Sequence, residues 1–276
     1  MVEIRYRDRL GNNLFQYCMG RMLAEGLGFA LRADPISGFP NTRTSVEGAR
    51  YEAPEQVLSG NRIDLAGLLA DRSPRRVTLH GWFQRSEYYR PDRERIRHWL
   101  AFDPSIVSGP RAPVAVHVRR TDVIRFDSAL PFSYYEEALT QAAQGAGDVW
   151  ITTDDPHDPF FKRFAAWRPK FHSGTAIEQL AFLSKAARLV MSASTFSWWA
   201  AFLGEPELVI CPQPSIGVWD GGGDISLIEP EHFRCIRITD RYRANLAEAL
   251  HRKQRGLRWR VVTELNRRLK LSLPEP

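Results

Sequence analysis

Between residues 113 and 212 the chain repeats one pattern, a short apolar run followed by a longer stretch with helical spacing. The runs are PVAVHV (113–118), DVWITT (148–153), RLVMSA (188–193) and LVICP (208–212). SYYEEALTQAA, FFKRFAAW, IEQLAFLSKAA and SWWAAFL fall between them. Runs that are apolar on both alternating sets of positions belong to strands covered on both faces. Parallel strands need a crossover of a dozen or so residues, and the helical stretches supply it. The pattern therefore predicts a doubly wound α/β layer structure.

The first half repeats the scheme less regularly. VEIRYR (2–7) reads as a strand, RLGNN (9–13) as a turn, NLFQYCMGRMLAEGLG (13–28) as a helix buried on one face, and FALRAD (29–34) as a second strand. Residues 35–75 are rich in Pro, Gly, Ser and Arg and predict an irregular insertion, with a short helix around Glu55–Leu58. RVTLHGWF (76–83) reads as a strand. SEYYRPDRERIRHWLAF (86–102) reads as helical, with Pro91 in a first turn. DPSIVSGPRAP (103–113) has three prolines and no periodicity, which marks a linker. At roughly 150 residues per domain, 276 residues make about two. The expected units are a Rossmann-like domain over 1–108, a second one over 109–239, and a basic C-terminal helix over 240–276.

That last helix sets Arg252, Lys253, Arg255, Arg258, Arg260, Arg267, Arg268 and Lys270 against an apolar stripe of Leu257, Trp259, Val261, Val262, Leu265 and Leu269. Two readings stand side by side: the stripe packs across the domains, or the helix attaches peripherally to an anionic inner membrane leaflet. The longest apolar runs are well short of the ~18 residues of a membrane span and no signal-like segment opens the chain, so a cytoplasmic protein is expected. Cys18, Cys211 and Cys235 lack any metal-ligand spacing and read as buried thiols.

The formal net charge is +6, and arginine supplies 33 of the 38 basic residues. The bias favours bidentate recognition of phosphate or carboxylate. HVRRTD (117–122) ends a buried strand, where open α/β sheets place their ligands, and strand alternation aims one of Arg119 and Arg120 into the crevice. The alternative is a structural network of both arginines with Asp122 and other carboxylates. ITTDDP (151–156) ends the next strand; Asp154 and Asp155 suit a ribose hydroxyl or a guanine edge, or else a helix cap. SASTFSWW (192–199) opens a helix, and Ser194, Thr195 and Ser197 there make either an anion site or an ordinary cap. In RLGNN, Gly11 permits close backbone approach and Asn12 offers an amide toward an interdomain cleft, or else the segment is only a turn that starts a helix. The GGG at 221–223 has no GK[ST] after it and is no P-loop; it reads as a mobile loop.

Together these segments resemble the bacterial α1,2-fucosyltransferases. RLGNNLFQY is similar to their GRLGNQMFQYA opening, HGWFQRSEYY to GYFQ, HVRRTD to HxRRxD, ITTDDP to SDDP, and RLVMSASTFSWWAAFLG to SNSTFSWWGAWL, all in family order. Asn13, Thr121, Val123, Ala193 and Ala200 depart from that pattern, and HVRRTD is closer to the α1,6-fucosyltransferase version. The resemblance implies a GT-B architecture, GDP-fucose as donor, a glycan hydroxyl as acceptor, inversion at the sugar carbon, and no metal or other cofactor. It implies that Arg119 contacts the β-phosphate, that His117 and Asp154 or Asp155 lie near the guanosine, and that Ser194, Thr195 and Phe196 line the diphosphate. Asn12 would face that diphosphate from the other domain. Gly11, Arg120 and Ser197 complete the expected donor contacts, and Asp127 or Asp122 is the expected acceptor base.

The other readings are a transferase of another GDP-sugar and a non-catalytic nucleotide- or nucleic-acid-binding protein. Aromatic interleaving of the RNA-binding type is absent, so no nucleic-acid partner is expected.

Overall fold

The computed structural model describes residues 1–276 except 43–52, 108, 126–127, 215–224, 230, 240–242 and 270–276. The first half contains β1 (Val2–Ile4), α1 (Leu10–Leu27), β2 (Leu31–Arg32), β3 (Glu55–Leu58), α2 (Leu65–Ala70), β4 (Arg76–Leu79), α3 (Ser86–Tyr89) and α4 (Arg93–Trp99). Its four strands form one sheet in the order β2-β1-β4-β3, every pair parallel. The second half contains β5 (Val114–Val118), α5 (Thr121–Arg125), α6 (Phe132–Ala142), β6 (Val149–Thr153), β7 (Lys170–Phe171), α7 (Ala176–Ser184), β8 (Arg188–Val190), α8 (Thr195–Leu203), β9 (Leu208–Pro214), β10 (Arg234–Ile238) and α9 (Leu246–Leu269). These strands form a second sheet, β10-β9-β8-β5-β6-β7, again parallel throughout. Every residue of β5 is buried, as expected of a strand covered on both faces.

Each sheet has one place where the chain reverses its direction of growth. In the second, β6 and β7 extend one side of β5 while β8, β9 and β10 extend the other. In the first, β2 lies on one side of β1 and β4 on the other. Adjacent loops at such a point leave the carboxyl ends of their strands in opposite directions and open a crevice. The segments leaving β5 and β8 are HVRRTD and SASTFS, and those leaving β1 and β4 are RYRDRLGN and HGWFQ.

The two halves share a core. α1 is buried on nearly all sides, and Phe15 packs against Tyr89 of α3 (centroids 5.2 Å apart) and against Trp198 and Trp199 of α8 (5.0 and 4.7 Å). Arg93, at the start of α4, donates from Nε to the Phe202 carbonyl (2.9 Å) and from Nη2 to that of Gly204 (2.6 Å), fastening it to the end of α8.

Several elements differ from the sequence reading. β1 stops at Ile4, where its pairing stops. α1 starts at Leu10, so Gly11 and Asn12 belong to its first turn and the chain reverses at Asp8, whose φ is +67°. Glu55–Leu58 is a strand, because pairing with β4 from Glu55↔Arg76 to Leu58↔Leu79 overrides local helix propensity. Pro91 lies in a 3₁₀ turn (Arg90–Asp92) that divides one expected helix into α3 and α4. Residues Pro159–Trp167 are 3₁₀ rather than α-helical. β7 and β10 are edge strands too short or too polar to announce themselves. Cys235 is half-buried, and its Sγ lies 2.9 Å from that of Cys211 on the adjacent strand. The GGG at 221–223 lies outside the described residues.

Candidate active site

Asn12 and Thr195 join the two crevices. Asn12 Oδ1 accepts from Thr195 Oγ1 (3.1 Å) and from Gln84 Nε2 (3.1 Å), so the loops after β1, β4 and β8 meet at one amide. A Cβ on Gly11 would lie 2.5 Å from Thr195 Oγ1 and 2.9 Å from the Phe196 backbone nitrogen, closer than side chains come. Trp199 Nε1 donates to the Gly11 carbonyl at 2.9 Å. The turns that bring these residues here are strained: Asp8 and Phe83, just before the two loops' polar residues, have φ of +67° and +53°. Asp8 repays part of that by accepting from Trp82 Nε1 (2.5 Å) and Asn12 Nδ2 (3.2 Å).

Across the cleft, the two arginines after β5 separate. Arg119 forks onto Asp122, with Nε 2.8 Å from Oδ1 and Nη2 hydrogen-bonded to Oδ2, while Nη1 reaches Ser194 Oγ at 3.3 Å. Burial works against the Asp122 charge, but the hydrogen bond and field of Arg119, with Arg9 beyond, outweigh it and hold the carboxyl below the usual range. Arg120 turns inward: its side chain is 1% exposed, its Nε pairs with Asp158 Oδ2 at 2.9 Å, and its guanidinium lies 3.9 Å from the Phe160 ring centre.

Ser194 caps α8, accepting from the Phe196 amide (3.2 Å). His117 is buried, with Nδ1 2.6 Å from Ser197 Oγ and its ring 5.2 Å from that of Phe196. Burial pushes its pKa down to about 4; Asp154 opposes this and Arg119 adds to it, so the imidazole is neutral at neutral pH.

The neighbouring carboxylates after β6 also divide. Asp154 caps the turn after β5, accepting from the Arg120 amide (2.7 Å) and the Thr121 hydroxyl. Asp155, 3% exposed, is held from α9 by Arg255 Nη2 (2.6 Å) and His251 Nε2 (3.2 Å). A cavity of about 560 Å³ opens here, within the range of small-ligand sites, lined by Arg9, Arg120, Asp122, Asp154 and Asp155 and roofed by α9 residues including Arg252 and Arg260.

The structure thus gathers Gly11, Asn12, His117, Arg119, Asp122, Ser194, Thr195, Phe196 and Ser197 around the joined crevices. Arg120, Asp154 and Asp155 fall at the adjoining cavity, with Asp122 bordering both, and Asp127 lies outside the described residues. Sequence reasoning missed Arg9, Gln84, His251 and Arg255. Gln84 and Arg9 stand inside quoted motifs and could have been found there; His251 and Arg255 carry no local signal. Among the described residues no cluster of His, Cys, Asp and Glu is placed to hold a metal ion.

The family model Glycosyl transferase family 11 matches residues 150–212, from β6 through α8 into β9. That stretch is what the chain shares with the family, less than a quarter of its length. It contributes Asp154, Asp155, Ser194, Thr195, Phe196 and Ser197, and so one wall of the joined crevices. The O-antigen biosynthesis glycosyltransferase WbnK of Escherichia coli is 28% identical over 116 residues, 36% of this chain and 37% of that protein, so the match spans little more than a third of that relative. A crystal structure of POFUT1 in complex with GDP superposes with a TM-score of 0.51 at 12% identity, over 87% of this chain and 98% of that one. This likeness is one of fold, the GT-B arrangement of two facing Rossmann-like sheets. The NodZ α1,6-fucosyltransferase soaked with GDP-fucose gives a TM-score of 0.46 at 15% identity, over 74% and 92% of the two chains.

Proposed function

We propose that this chain is an inverting fucosyltransferase that moves L-fucose from GDP-fucose to a glycan hydroxyl, in α1,2 linkage to galactose of a surface polysaccharide. The observation that carries the reading is the meeting of both sheets' switch points at Asn12 and Thr195, with the Arg119 fork beside the capped start of α8, in a chain with a glycosyl transferase family 11 segment.

The bond from the sugar carbon to the β-phosphate oxygen breaks and its electron pair stays on the phosphate. A planar guanidinium and the amino end of α8 stabilise that growing charge, and one such preorganised donor is typically worth ~3–4 kcal/mol of barrier. Asp122 fixes the fork before substrate arrives, the preorganisation this catalysis needs. Committed to Arg119, it serves poorly as a base, and we assign the acceptor proton to Asp127, the next carboxylate in the sequence. We assign neutral His117, Phe196 and Ser197 to the floor beneath the nucleotide, while Arg120 braces the wall of the adjoining cavity through Asp158.

We further propose that no divalent metal takes part. The Asp154–Asp155 pair looks like a metal-binding DxD relative, but one carboxylate is spent on backbone amides and the other on Arg255 and His251. Transfer measured in excess EDTA is expected to persist; loss restored by Mg²⁺ or Mn²⁺ overturns this part. The donor assignment is tested by GDP release from GDP-fucose against GDP-mannose, with and without a galactose-terminated acceptor. Release from GDP-mannose alone, or tight nucleotide binding without release from either, rules it out.

A further inference from the structure

The helix α9 has two faces with different surroundings. Glu248, His251 and Arg255 turn toward the second sheet, while Leu246, Leu250, Leu257 and Val261 are 78, 53, 65 and 50% exposed. These four make up half of the eight large hydrophobics exposed among the described residues. At 3.6 residues per turn they fall within an arc of about 60°, a single stripe roughly 22 Å long. Exposed Lys253 runs along one edge of it and exposed Arg258 flanks the other. From Leu246 to Val261 the one acidic residue is Glu248, buried on the opposite face; Glu264 follows beyond the stripe's end. The side chain of Trp259, expected in an apolar stripe, lies outside the described residues.

We propose that this outer face of α9 docks on an anionic lipid surface. An apolar stripe with cations on both edges is the arrangement that lies in a bilayer interface, hydrophobic side chains at the headgroup–acyl boundary and charges against lipid phosphates. No helix among the described residues is long and apolar enough to cross a membrane, so this contact is peripheral. A second copy of the chain is a poorer occupant: stripe against stripe sets Lys253 and Arg258 of each copy among like charges, whereas phosphate headgroups bring the opposite sign to both edges. The opposite face of the same helix roofs the 560 Å³ cavity, so docking sets the cleft beside the bilayer.

The full chain is sedimented with vesicles of phosphatidylglycerol in phosphatidylcholine and with pure phosphatidylcholine, at low and high salt. Binding is expected with the anionic vesicles at low salt, and weakening by ~10-fold or more at high salt or without phosphatidylglycerol. The double variant Leu250→Glu, Leu257→Glu should lose binding at least ~10-fold while its melting temperature and GDP release stay as in the parent, since both side chains are exposed. Should that variant melt early, Lys253→Glu with Arg258→Glu gives a second reading, with the same loss expected on anionic vesicles. Equal binding to neutral vesicles, none at low salt, or binding untouched by both double variants overturns the proposal. So does a concentration-dependent dimer that the leucine variant abolishes, which would assign the stripe to a second copy.

Discussion

Arg119 and Arg120 show how one peptide step separates chemistry from architecture. Arg119 keeps 22% of its side chain exposed beside Ser194 and can turn its free edge to a phosphate; Arg120 is sealed against Asp158 and Phe160. Substituting Arg119→Lys is therefore expected to lower turnover ~100-fold or more with the fold intact, because a point charge cannot replace the fork. Arg120→Ala instead strands a buried Asp158 charge and should cost about 3–5 kcal/mol of stability, read as a lowered denaturation midpoint. Equal effects of the two on stability would contradict this division. His117 adds a pH dependence: its folded pKa of about 4 lies below the ordinary 6.5, so the unfolded chain takes up the proton first. The stability it confers is complete above pH 6.5 and falls as pH drops toward 4, by on the order of 2 kcal/mol at pH 5. Denaturant midpoints measured from pH 7 to 5 should decline less steeply in His117→Asn than in the parent.

At the scale of elements, the decisive fit is α1 against α8. Their amino ends meet at Gly11 and Thr195, and the nearest atoms to a Cβ there include a backbone nitrogen that cannot swing away. Gly11→Ala is expected to push the helices apart, costing about 1–3 kcal/mol and breaking the Asn12–Thr195 hydrogen bond on which the joined crevices rest. Weaker binding of GDP together with a lower melting temperature is the expected pair of readouts; unchanged GDP affinity would detach this contact from the proposed donor site. Sequence periodicity revealed α1 as a helix but placed its start late, because RLGNN carries turn residues and no capping side chain at Arg9. Glu55–Leu58 was misread for the complementary reason: its strand character comes from β4, twenty residues on.

For the molecule as a whole, the shared core matters most. Phe15, Tyr89, Trp198 and Trp199 form one aromatic cluster that neither sheet owns, so the halves should unfold together. Truncating Phe15→Ala is expected to cost about 3–5 kcal/mol and to shift a single transition, seen alike by tryptophan fluorescence and far-ultraviolet dichroism. Two separated transitions would mean independent domains. The sequence alone determined the parallel α/β layers, because buried strands, crossover helices and their order are local patterns, and it marked HVRRTD, ITTDDP and SASTFSWW because each ends a strand. Tertiary structure alone decided which arginine faces the cleft, that Asp155 is taken by Arg255 a hundred residues away, and which stripe of α9 stays outside. Those outcomes depend on which surfaces meet in space, and residues far apart in the chain carry no mark of each other until the fold brings them together.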